Sequence, residues 1–215
     1  MPATGRSYVI AGAGISGLTL ALTLAKFGAS VIVLERSPTL QEAGAGLQIS
    51  PNARRILDRL GLSPALEQHG LEPTALDLYR GAQSRAFFSM ELGPIMQERF
   101  GAPYAVMHRA DLADALYKAS RRFANIDIIF GVRNWDVVSH ARGVTVAIDE
   151  DNGQTRTTRA SAFIGADGVH SHTRRHALEG PEAKFGARVA WRALVPADSV
   201  AGQIANDRVS VFFGG

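Results

Sequence analysis

Tyr8-Val-Ile-Ala-Gly12-Ala-Gly14-Ile-Ser-Gly17, continued by Leu18 to Lys26, Gly28 and Ser30-Val-Ile-Val-Leu-Glu35, is the stretch that decides the fold. Tyr8 to Ala11 reads as a short buried strand. Ile15 to Phe27 reads as a helix that is apolar nearly all round and should be covered on both sides. Gly28 stops that helix just past its end. Ser30 to Leu34 is rich in β-branched residues and reads as a second buried strand. Strand, helix and strand in so few residues make a βαβ unit, whose crossover is right-handed. The spacing Gly12, Gly14, Gly17 fits G-x-G-x-x-G: the first glycine for a tight turn, the second for backbone approach to a pyrophosphate, the third for close helix packing. The helix that follows offers free N–H groups and a positive dipole end to phosphates. Glu35 closes the second strand, where a carboxylate accepts hydrogen bonds from ribose hydroxyls. A glycine-rich turn with no ligand is the plainer reading of the glycines; strand, helix and Glu35 together favour the dinucleotide.

Composition agrees with a folded domain. The chain has 215 residues, 46% of them hydrophobic and 20% charged, with a net charge of +3. Cysteine is absent, which excludes thiolate nucleophiles, disulfides and Cys-ligated metals. Arginines are scattered or paired, as in Arg54-Arg55 and Arg121-Arg122, and no aromatics interleave with them. Nucleic-acid binding is therefore not expected, and a modest positive balance suits an anionic cofactor or a carboxylate substrate. Val9 to Ala25 is almost wholly apolar and follows Arg6, as in a signal peptide or short membrane span. The three glycines and the closing Lys26 favour a buried strand and helix, so a membrane partner is not expected and the location reads as cytoplasmic.

Further along, Ser50-Pro51 opens a helix running through Ile56, Leu57 and Leu60 to Gly61, with Ser50 as its cap. Ser63-Pro64 repeats that start signal. Leu76 to Tyr79 and Ala86 to Phe88 read as a β-hairpin around Gly81. Tyr104 to Met107 is a strand, followed by a helix from about Arg109 to Phe123 with an apolar stripe of Leu112, Leu116, Ala119 and Phe123. Ile126 to Phe130 is a strand. Val137-Val138 and Val144 to Ile148 form a hairpin around Arg142-Gly143, and Asn152-Gly153 marks another tight turn. Ala162 to Gly165 is the last buried strand.

The fingerprint alone does not separate FAD from NAD. The segment after Glu35-Arg36 is a glycine-rich loop, Gly44-Ala-Gly46-Leu-Gln-Ile-Ser-Pro51, running into a helix. It resembles the FAD-dependent aromatic hydroxylases, flavoprotein monooxygenases of the p-hydroxybenzoate and salicylate hydroxylase type. His108-Arg109-Ala-Asp-Leu112 is similar to that family's arginine at the head of a helix lying along the FAD. Gly165-Ala-Asp167-Gly168-Val-His-Ser171 is similar to its second fingerprint, whose aspartate touches the FAD ribose and affects NAD(P)H use. Residue by residue, the resemblance implies cofactor roles for Gly12, Gly14, Ser16, Gly17, Glu35, Arg36, Gly46, Arg109, Val132, Asp167 and Gly168, with Val132 acting through its backbone near the adenine.

The resemblance also implies an α/β fold: a Rossmann-like FAD-binding domain of the glutathione-reductase type, with a β-meander crossover and part of a β-rich substrate domain. Residues 1–70 and 99–180 are expected in the FAD-binding domain, 71–98 and 181–215 in the substrate domain. The implied reaction hydroxylates a phenol- or benzoate-like substrate with NAD(P)H and O2. Rival readings are another FAD-dependent hydroxylase or reductase of this fold, and a catalytically silent FAD-binding fragment. The family's Gly-Asp-Ala-His-Pro-like motif does not occur, and Val211-Phe-Phe-Gly-Gly215 reads as mid-sheet. The expectation is a truncated chain with impaired hydroxylation and some tendency to homo-oligomerise. No catalytic base is assigned. Arg188 to Val195 alternates like a strand, so Arg192 is either an exposed arginine or a clamp for a substrate carboxylate. His170, His172 and His176 lack a complete zinc ligand set and read as surface histidines, so no metal is expected. Substrate identity, NADH or NADPH, and oligomeric state are not legible.

Overall fold

The computed structural model describes residues 2–40, 46–81, 83 and 85–214. Along the chain run β1 (Ser7–Ala11), α1 (Ile15–Lys26), β2 (Ser30–Leu34), β3 (Gly46–Ile49), α2 (Pro51–Arg59), α3 (Ser63–His69), β4 (Gly70–Leu71), β5 (Ala75–Arg80) and β6 (Phe88–Glu91). There follow α4 (Gly93–Phe100), β7 (Ala105–His108), α5 (Arg109–Ser120), β8 (Ile126–Ile129), β9 (Val132–His140), β10 (Gly143–Glu150), β11 (Thr155–Ala160), β12 (Ala162–Gly165) and β13 (Arg208–Phe213). None of the described helices is long and apolar enough to cross a membrane. The fold is α/β, with a parallel sheet of Rossmann type.

Two compact units emerge: residues 1–42 with 113–189, and residues 43–112 with 190–215. Segments 43–70 and 99–112 group with the second unit because β3 and β4 pair with β7, and α3 packs on that small sheet.

The first unit has three layers. Strands β12, β1, β2 and β8, in that order, form a parallel sheet. Helix α1 covers one face through Gly17, Leu18, Ala21, Leu22 and Ala25, which are buried. Its other apolar residues, among them Leu20 and Leu24, are half-buried, so a single stripe rather than the whole circumference is covered. Leu18 and Leu22 are fully buried, worth roughly 1.5–3 kcal/mol each relative to exposure. The antiparallel meander β9–β10–β11 supplies the other layer. Val9, Ala11, Leu34 and Ile129 from the parallel sheet pack there against Trp135, Val146, Ile148 and Ala160.

In the second unit, β3–β7–β4 is antiparallel, and β13–β5–β6 pairs β13 parallel to β5. Leu78 pairs with Phe88 in the expected hairpin. Arg54 is buried and bridges Asp58 and Glu72, each at 2.9 Å. Ser50 occupies the N-cap position in an extended conformation, but its hydroxyl turns to the Asn52 side chain and caps no N–H. Such short-range bonds compete with capping. The alternating stretch Arg188 to Val195 is not a strand: it has no paired neighbour, and Trp191 is 95% exposed. Alternation yields a strand only where a partner takes the backbone hydrogen bonds.

Candidate nucleotide-binding site

The turn from β1 into α1 is held by backbone contacts that only glycine permits. Gly12 has φ +102°, and a Cβ there would stand 2.5 Å from the Ala166 carbonyl oxygen. A Cβ on Gly17 would stand 1.9 Å from the Gly12 carbonyl oxygen, so helix and turn could not remain in contact. Gly14 caps α1 in an extended conformation, without any side-chain cap and with no acidic residue in the first turn. Leu18 N–H is the first to reach a carbonyl of the turn, that of Gly14 at 3.0 Å. The N–H groups of Ile15, Ser16 and Gly17 precede it and have no carbonyl a turn earlier within the helix. Ser16 is exposed in this first turn.

Backbone hydrogen bonds lash the carboxyl ends of the parallel strands together. Gly12 N–H donates to Leu34 O at 2.7 Å, Ala166 N–H to Ala11 O at 2.7 Å and Glu35 N–H to Ile129 O at 2.8 Å. The crevice beyond carboxyl strand ends is where open α/β sheets place ligands. Glu35 stands in it, half-buried. One carboxylate oxygen accepts the Ala13 N–H and the other the Ser37 N–H, both at 2.9 Å. A carboxylate has about four acceptor positions, so each oxygen keeps one for a ribose hydroxyl.

Asp167 and Gly168 follow β12, with Gly168 at φ +77°. Asp167 accepts Ser171 Oγ–H at 2.6 Å and the Thr173 N–H at 2.9 Å. Burial alone would push its carboxyl up, but these hydrogen bonds outweigh burial and hold it below the usual carboxylate range. The aspartate thereby anchors the helical turn Thr173–Ala177.

Gly12, Glu35 and Asp167 share a pocket of 140 Å³. That is room for one part of a dinucleotide, not the whole of one. Arg36, Arg133 and Arg175 also line it, and Trp135, His170 and His172 complete much of the wall. Sequence reasoning missed Arg133, Trp135 and Arg175, and treated the histidines as surface residues. His172 is instead half-buried, its ring edge-on to Trp135 at 5.0 Å and stacked on His176 at 4.1 Å. Burial, then the neighbouring His176, pushes the His172 imidazole below its ordinary value. Trp135 Nε1 and His172 Nε2 are buried without hydrogen-bond partners. No group of three or more potential metal ligands occurs among the described residues.

The remaining candidates fall into two sets. Val132 is fully buried in the first unit, where it pairs with Glu150, and its N–H donates to Glu35 O at 3.0 Å. Gly46 and Arg109 belong to the second unit, where β3 pairs with β7 so that Gly46 stands opposite His108, next to Arg109. Arg192 lies in the exposed, strandless stretch of the second unit.

A parallel sheet, a glycine turn opening an uncapped helix, and a carboxylate at the end of the second strand define a dinucleotide-binding protein. The chain belongs to the FAD binding domain family, whose model matches residues 7–198. It is 35% identical over 195 residues to 3-amino-4-hydroxybenzoate 2-monooxygenase PtmB3 of Streptomyces platensis, covering 88% of this chain and 46% of that protein. It is 31% identical over 194 residues to 3-hydroxybenzoate 6-hydroxylase 1 of Aquipseudomonas alcaligenes, covering 90% of this chain and 48% of that protein. The chain thus spans about half the length of these relatives. Among solved structures it is similar to the tetrameric form of 2-methyl-3-hydroxypyridine-5-carboxylic acid oxygenase, with a TM-score of 0.61 and 27% identity over 77% of this chain and 40% of that one. p-Nitrophenol 4-monooxygenase PnpA from Pseudomonas putida DLL-E4 shares the fold, with a TM-score of 0.70 at 22% identity over 80% of this chain and 43% of that one. FAD is the cofactor of the family.

Proposed function

We propose that this chain is the FAD-binding part of a flavin-dependent monooxygenase that hydroxylates an aromatic acid bearing a ring hydroxyl, with NAD(P)H as reductant. The observation that carries the reading is the cradle itself. Glycines at Gly12 and Gly17 let backbone close around the turn, and the first turn of α1 presents N–H groups with no competing carboxylate. That donor set fits a pyrophosphate. Gly14 and Ser16 would approach the phosphates, and Glu35 would hold a ribose through the acceptor positions its two backbone bonds leave open. Arg36 lines the same pocket and offers a cation beside that ribose, and the family resemblance adds a backbone contact from Val132. Asp167, kept ionised by Ser171 and Thr173, and Gly168 would border the cofactor from the end of β12. Gly46 and Arg109 enter this reading through the family resemblance alone, the arginine as a fixed cation for an anionic cofactor.

Bound FAD supplies the redox chemistry, taking electrons from NAD(P)H and using O2 to oxygenate the ring. The substrate class rests on the relatives, whose names specify hydroxybenzoates, and Arg192 is the carboxylate clamp of this proposal. Association between copies belongs to the same reading, and a cytoplasmic setting suits a chain without cysteine. Calorimetric titration with FAD and with NAD tests the cofactor. Tighter binding of FAD is expected; tighter binding of NAD would overturn the assignment. Hydroxybenzoate-dependent NAD(P)H oxidation with hydroxylated product, measured on a FAD-loaded protein that carries this chain as its FAD-binding part together with the remaining length its relatives have, tests the reaction, and its absence across a hydroxybenzoate panel would overturn that part.

A further inference from the structure

A second cavity opens at the other end of β1. It measures 550 Å³ and is lined by Ser7, His140, Arg142, Thr145, Arg159 and Ser161, with Ala141 and Ala160 between them. Ser7 begins β1 and Gly12 follows its end, so about five residues, roughly 16 Å of strand, separate this cavity from the nucleotide cradle. All its residues lie within the first unit.

Its polar groups are arranged to donate. The Arg142 N–H donates to His140 Nδ1 at 3.3 Å, which leaves the proton of the neutral imidazole on Nε2. His140 Nε2 is 3.3 Å from Thr145 Oγ1 and donates to it, so the Thr145 hydroxyl proton is directed elsewhere. Ser161 Oγ accepts the Ser7 N–H at 3.3 Å, which likewise leaves its O–H free to donate. Thr145 and Arg159 face one another across β10 and β11 and leave the sheet on the same side. Neither Arg142 nor Arg159 forms an ion pair among the described residues, and no carboxylate lines the cavity. Asp127 lines an adjoining pocket that shares Ser7 and Arg159, and no ion pair joins the two among the described residues.

Two guanidiniums and two hydroxyl donors around one cavity lack only an acceptor. We propose that this cavity binds a small, multiply charged oxyanion, a phosphate or carboxylate compound, at a site separate from the nucleotide cradle. Paired guanidiniums match such oxygens bidentately. Both guanidiniums are exposed, so binding weakens as salt rises.

The test is calorimetric titration of the FAD-loaded protein, in low-salt buffer free of oxyanions, with pyrophosphate and separately with citrate. Loaded FAD keeps pyrophosphate from the cradle. Saturable binding of at least one probe is expected, weakened tenfold or more by Arg142→Gln and by Arg159→Gln, with FAD affinity unchanged in both. Binding of pyrophosphate alone identifies a phosphate ligand, and binding of citrate alone a carboxylate. No saturable binding of either up to about 10 mM, where the interaction would be worth under 3 kcal/mol, overturns the proposal. So does affinity that either variant leaves unaltered. FAD affinity is read independently, so failure here leaves the cofactor assignment standing.

Discussion

Glu35→Ala separates the two tasks of one carboxylate. In the folded chain Glu35 accepts the Ala13 and Ser37 N–H groups at 2.9 Å each. Ala13 is 1% exposed, so truncation strands a buried donor that water cannot reach. A buried group left unsatisfied costs about 1–3 kcal/mol. Ser37 is half-buried, and its N–H recovers part of its loss from solvent. The unliganded chain should therefore lose about 2 kcal/mol of stability, by the same range for an orphaned donor. A hydrogen bond from a ribose hydroxyl to an ionised acceptor is worth about 1.5–3 kcal/mol, so losing even one should weaken FAD on the order of 30-fold as well. Glu35→Gln should fall between, because its amide oxygen satisfies one N–H while its NH2 group confronts the other. Urea unfolding of the unliganded chain reads the first effect, and FAD titration by calorimetry reads the second. Lost stability with unchanged FAD affinity would refute the ribose contact and leave Glu35 as a fastener of the turn. Neither quantity changing would refute the whole account.

Gly17→Ala places a Cβ 1.9 Å from a backbone oxygen that no rotamer change can move, so it should cost about 1–3 kcal/mol or more and abolish tight FAD binding; parent-like FAD affinity would contradict the packing argument. The buried Asp77 carboxyl is held below the usual carboxylate range by Ser89 and then by Arg208, whose Nη1 reaches its two oxygens at 2.7 and 3.0 Å. Its folded value lies below the unfolded one, so its stabilisation is present above about pH 4 and is lost as pH falls; Asp77→Asn should flatten that acid limb in pH-dependent urea unfolding. His172 also titrates lower when folded than when unfolded, for the opposite chemical reason: the neutral form is the one burial favours. Stability should therefore decline as pH drops below about 6.5, and melts of His172→Phe between pH 5 and 8 should lack that decline.

Local signals carried much of the fold. β2 and β12 occupy the expected residues, and α1 starts at Ile15 as its glycine cap requires. The hairpin around Arg142-Gly143 formed with longer strands, because pairing extends wherever both neighbours continue. Helix α4 went unread: none of its residues is fully buried, so it has no apolar stripe to detect. Strand β11 is Thr-Arg-Thr-Thr-Arg-Ala, polar and mostly exposed, and only its pairing with β10 makes it a strand.

By itself the sequence determined the βαβ unit, the glycine cradle and the position of Glu35, while Asp167 was marked by family resemblance. The first three depend on residue types at fixed short spacing, where sterics and backbone hydrogen bonding act along the chain. Tertiary structure alone decided that Glu35 fastens Ala13 and Ser37 while facing the pocket. It alone brought Arg133 and Trp135 of β9 beside His172 and Arg175, and it left Arg188 to Val195 without a strand partner. Those outcomes depend on which distant segments meet. A side chain's burial, its proton affinity and its usefulness to a ligand are set by neighbours that no local pattern names.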